Sequence, residues 1–155
     1  MHQRLSGVKR GGTQAFTAVL FVIAAGTAHA QNAMGSVDAV IRLGLQTLQL
    51  LDQGKASEVW DQSSPVMKTA MSKETLGAYS RQVAQALGGV RLRDWSTADL
   101  IRVPEGVANT PPGLYLNVGY IVQGNGGALL DEVVSFRREP DNTWRVTGYV
   151  PRQKK

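Results

Sequence analysis

The chain has 155 residues, with 17 Lys and Arg, 12 Asp and Glu, two His, no Cys and a formal charge of +5. Without cysteine there can be no disulfide, no thiolate metal site and no lipid anchor on an N-terminal cysteine. The length allows one domain with one core.

Arg4, Lys9 and Arg10 form a basic start without an acid, followed by the apolar run Ala15 to Ala25 and the small-x-small triplet Ala28-His29-Ala30. This is the pattern of a secretory signal peptide over residues 1–30, with cleavage expected after Ala30. The run is shorter than the ~20 apolar residues a membrane-spanning helix needs. A periplasmic protein with no transmembrane segment is therefore expected. Cleavage leaves 125 residues, removes both histidines, and leaves 14 basic against 12 acidic side chains. Arg152, Lys154 and Lys155 fall in a basic tail over 151–155, so the domain over 31–150 is close to neutral. It lacks the clustered basic stripe that a nucleic acid requires, and no nucleic-acid partner is expected.

Ser36 is a helix N-cap with Asp38 in the first turn. Val37, Val40, Ile41, Leu45, Leu48 and Leu51 then recur at helical spacing, and Gly54 is the stop signal. A short second helix is expected over Lys55 to Gln62, with Val59 and Trp60 inward. Ser63-Ser64-Pro65 breaks it, and Pro65 suits the start of another short helical piece. Ser72 caps a third full helix to about Leu87, with Leu76, Tyr79, Val83 and Leu87 on one stripe, ended by Gly88-Gly89.

From Val90 the period changes to two. Strands are expected over Val90 to Val103, Gly113 to Gln123, Leu129 to Arg138 and Thr143 to Val150. Pro104 to Pro112 reads as a loop and Gly124-Asn125-Gly126-Gly127 as a hairpin turn. Helices followed by strands give an α+β class. The expectation is three N-terminal helices packed on a curved four-stranded antiparallel sheet. On the last strand, alternation places Trp144, Val146 and Gly148 inward.

Leu87-Gly88-Gly89-Val90-Arg91-Leu92-Arg93, Gly113 to Tyr120, Glu132-Val133-Val134 and Trp144-Arg145-Val146-Thr147-Gly148-Tyr149, with Trp60-Asp61 upstream, resemble the bacterial DUF4019 family. Pro151 after Val150 departs from that family's apolar ending. The resemblance implies a cystatin-like cone, related to nuclear transport factor 2, and implies no established activity.

With no His or Cys after cleavage, Ser/His/Asp and Cys/His mechanisms and imidazole metal sites drop out. Asp131 and Glu132 are adjacent, so on a strand they point to opposite faces and do not share an ion easily. No metal and no cofactor are expected. Glu132 is in phase with Leu130, Val134 and Phe136, where an acid needs a partner. It is either a general base or, in the preferred reading, half of a buried ion pair with Arg93 or Arg81. Tyr120 and Tyr149 are weak candidates for donors beside it, against an ordinary role as half-buried strand tyrosines. Trp60 and Asp61 are candidates at a cavity mouth; Trp95 and Trp144 are the other tryptophans that could line a cavity. Core packing is preferred for Trp60 and Trp144, and a solvated helix position for Asp61.

The candidate binding set is thus Trp60, Asp61, Arg81, Arg93, Tyr120 and Glu132, with no assigned catalytic residue. The expected function is non-catalytic binding of a small apolar ligand or an envelope protein, by a monomer or a homodimer formed through the sheet face. The alternative is a small lyase, isomerase or hydrolase with Glu132 or Asp61 as base and a tyrosine donor.

Overall fold

The computed structural model describes residues 36–153. The expected signal peptide over 1–30 and its expected cleavage after Ala30 lie outside the described residues, as do the last two residues. The Ser36 hydroxyl accepts from the Ala39 amide at 3.2 Å and opens α1 (Val37–Asp52). The buried seam of α1 is Val40, Ile41, Gly44, Thr47, Leu48 and Leu51. It runs through Gly44 rather than Leu45, and Val37 is exposed. Gly54, at φ +75°, ends this segment. There follow α2 (Ala56–Gln62), α3 (Pro65–Ala70) and α4 (Lys73–Leu87).

Among the described residues the helices number four, where three were expected. Ser64 caps α3 through the Val66 amide, and Pro65 sits in its first turn, so the piece after the break forms a helix of its own. Ser72 caps α4 through the Thr75 amide at 3.1 Å, and Gly88 closes it at φ +60°.

The strands are β1 (Val90–Val103), β2 (Gly113–Gly124), β3 (Leu129–Arg138) and β4 (Trp144–Gln153). They form one open antiparallel sheet in the order β1-β2-β3-β4. The class is therefore α+β. β4 continues through Pro151 to Gln153 instead of ending at Val150, and it tolerates the proline because it is an edge strand. β1 is the opposite edge and is exposed along most of its length, with Leu92, Trp95 and Leu100 each more than half exposed.

The core lies between α1 and the sheet. Leu116, Val118 and Tyr120 of β2, Val134 and Phe136 of β3, and Val146 and Tyr149 of β4 meet Val40, Ile41, Leu48 and Leu51. Val146 and Tyr149 are three apart, which plain alternation forbids. Phe136 pairs with Val146 and Ser135 with Gly148, so Thr147 is an extra residue in β4. This bulge reverses the phase of everything after it. Tyr149 turns inward, and the expected inward series Trp144, Val146, Gly148 fails at Gly148.

Candidate functional site

Glu132 comes from the middle of β3 and is 1% exposed. Each of its oxygens accepts a hydrogen bond. Arg93 Nε donates to Oε2 at 2.8 Å, and the Tyr149 hydroxyl donates to Oε1 at 2.6 Å. The far side of the same guanidinium donates to Asp52 at 2.6 and 3.1 Å. Asp52 ends α1, where a negative charge opposes the helix dipole unless a cation answers it. One arginine of β1 thus serves the C-terminus of α1 and the centre of β3.

Burial is the largest influence on the Arg93 guanidinium and disfavours its charge; the Asp52 hydrogen bond and the Glu132 charge outweigh it and raise its pKa. Tyr149 is pushed far above the ordinary tyrosine value, first by burial and then by the Glu132 charge beside it. Its ring also meets Tyr79 edge-on, with centroids 6.2 Å apart. Tyr120 is fully buried on the strand beside Glu132, and burial raises its pKa too. Its hydroxyl donates to the Ile41 carbonyl at 2.6 Å, not to Glu132.

Of the expected residues, Arg93, Glu132 and Tyr149 come together, with Tyr120 adjacent. The tyrosines are buried rather than half-buried, because the bulge and the α1 contact bring them inward. Arg81 does not join them. It is exposed on α4, one step off the buried face formed by Leu76, Ser80, Val83 and Leu87. Trp60 and Asp61 form a separate surface cluster. Trp60 Nε1 donates to the Met71 carbonyl at 2.9 Å, and Lys68 and Lys73 lie 5.2 and 5.1 Å from its ring centre. Asp61 pairs with Lys73 at 2.6 Å. Such an exposed pair contributes little and serves here to join α2 to α4.

Sequence reasoning missed two features. Ser64 is buried, and its hydroxyl donates to Glu139, which pairs with Arg137 at 2.6 Å; Arg137 in turn donates to the Pro112 carbonyl at 3.0 Å. This chain joins α3, the β3–β4 turn and the β1–β2 loop. The second feature is a groove between α1 and the start of β4, of about 420 Å³, lined by Ala39, Val40, Arg42, Leu43, Gln46 and Trp144 among others. A hollow of about 160 Å³ shares Leu43, Gln46 and Trp144 and runs on to Leu50, Val59 and Val146. Trp144 is half-buried against the core. Its Nε1 is closed to solvent and has no hydrogen-bond partner. A wider hollow of about 730 Å³ between α3 and the β1–β2 loop has no charged residue in its lining.

Among the described residues, no cluster of three or more metal-ligating side chains occurs, and no helix is long and apolar enough to cross a membrane. Curated proteins give no match to the chain. The family model described as "Protein of unknown function (DUF4019)" matches residues 44–149, a span that includes Asp52, Arg93, Glu132 and Tyr149. The chain belongs to the DUF4019 family.

Proposed function

We propose that this protein is an exported, non-catalytic binding domain of the cell envelope. In this reading residues 1–30 are removed, the mature chain begins at Gln31 in the periplasm, and the fold is of the cystatin-like type. The observation that carries it is the state of Glu132. Each of its oxygens accepts a hydrogen bond, Oε2 from Arg93 and Oε1 from Tyr149, and its side chain is 1% exposed. A general base must come within hydrogen-bond reach of a substrate proton, and a carboxylate enclosed in this way does not. Asp61, the other candidate base of a lyase, isomerase or hydrolase, is held by Lys73 on an exposed surface. Among the hollows the fold leaves open, the α1–β4 groove lies against the core and has a volume inside the range of about 300–1,000 Å³ common for small-molecule sites. A small apolar ligand fits that feature better than a protein partner does.

The test is native mass spectrometry, with N-terminal sequencing, of the protein purified from its host. The expected result is a chain starting at Gln31 that carries a small retained mass. A chain retaining Arg4 to Ala30 would overturn the export reading. A stoichiometric protein partner with no small ligand would overturn the ligand reading.

A further inference from the structure

Resting on that binding reading, we propose that the α1–β4 groove takes an amphiphilic anion: an extended apolar chain ending in a carboxylate or a similar acidic head, held with its head at Arg42. The argument is one of complementarity. The walls are aliphatic and aromatic, from Val40, Leu43, Leu50, Val59 and Trp144. No acidic residue lines either the groove or its extension. Two cations do, Arg42 and Arg145. Asp141 neutralises Arg145 at 3.0 Å, whereas Arg42 is exposed and forms no ion pair among the described residues. The uncompensated charge of the groove is therefore a single positive one.

Trp144 supplies an aromatic wall shared by the groove and its extension. The groove thus combines apolar walls with an unanswered cation, Arg42. A cationic or purely apolar chain leaves that cation unanswered. A polyphosphate asks for several cations and a backbone cradle, and only Arg42 is uncompensated here. The lining extends from Ala39 to Leu50 on one face of α1, about 16 Å of helix, which suits a chain lying along the helix better than a compact ring.

The test uses the mature chain from Gln31, stripped of bound lipid, and three probes sharing one alkyl chain: dodecanoate, dodecanol and dodecyltrimethylammonium. Calorimetry below micelle-forming concentrations gives affinities, and the indole ¹H–¹⁵N resonances report on Trp144, assigned with Trp144→Phe. Dodecanoate is expected to bind at least about tenfold tighter than dodecanol, the order of one charge-assisted hydrogen bond, and the trimethylammonium more weakly still. Arg42→Gln, at an exposed position, is expected to reduce dodecanoate to the affinity of dodecanol without lowering the melting temperature. The Trp144 indole resonance is expected to move with dodecanoate. Equal affinity for all three probes, or dodecanoate binding indifferent to Arg42→Gln, overturns the anion assignment while leaving a binding groove. Failure of all three probes to bind overturns both this proposal and the small-ligand reading.

Discussion

The hydroxyl of Tyr120 occupies the space that a side chain on Gly44 would need. A Cβ built there collides with the phenol oxygen and lies 2.9 Å from the carbon that bears it. The same oxygen donates to the Ile41 carbonyl one turn earlier, so strand β2 is keyed into α1 at the one position where the helix has no side chain. In an ordinary helix interior, replacing Gly with Ala stabilises by about 1 kcal/mol. Here Gly44→Ala is expected to destabilise by about 1–3 kcal/mol, as overpacking does. Urea denaturation decides the sign, and a more stable variant would show that Tyr120 does not press on α1.

Glu132 is expected to behave as a structural anion. Glu132→Gln leaves Asp52 as the carboxylate on Arg93 and should lower stability by about 2 kcal/mol, while Tyr149→Phe, which removes the other donor to Glu132, should lower it by about 1.5–3 kcal/mol. Because both changes act on one cluster, the double variant should lose less than the sum of the two. Denaturant midpoints of the four proteins measure this. Additive losses would mean that the two contacts are independent.

Alkaline pH should unfold the protein through two tyrosines. Tyr120 and Tyr149 both have folded pKa values raised above the ordinary 10.0, chiefly by burial. The unfolded chain releases these protons near pH 10, whereas the native state keeps them. Their contribution to stability is therefore complete below pH 10 and is lost as pH rises above it, by about 1.4 kcal/mol per pH unit for each tyrosine. Tyr120 and Tyr149 should resist spectrophotometric titration until the chain unfolds. Tyr149→Phe should flatten the alkaline decline. An equally steep decline in that variant would place its cause elsewhere.

The elements written in local chemistry were legible before the structure. Ser36, Ser72 and Gly88 act as the caps that their types and positions announce, and the change of period near Gly89 marks the start of the sheet. The phase of Glu132 against Val134 and Phe136 found its burial, but its partner stayed open between Arg93 and Arg81, because strand alternation does not say which cation reaches across β2. What remained hidden depends on contacts distant in sequence. Asp52 meets Arg93 across 41 positions and Ser64 meets Glu139 across 75. The bulge at Thr147 is a register decision between β3 and β4, signalled in the sequence only by the neighbouring Gly148, and it alone turns Tyr149 inward. The α1–β4 groove escaped notice because Arg42, Leu43 and Gln46 read as the ordinary flank of an amphipathic helix.

The sheet order also follows the order in which the strands leave the ribosome, so each strand can pair with the one made just before it, at a small loop-closure cost. The last strand nevertheless carries the finishing contacts. Tyr149 supplies the second donor to Glu132, and the Val146 carbonyl accepts the amide of Ser64 at 2.9 Å. A chain that stops short of β4 holds a carboxylate in an apolar row with half its partners, and leaves α3 tethered to nothing at that point. Completion therefore waits for β4: a truncation anywhere in Trp144–Tyr149 removes the closing piece of the core.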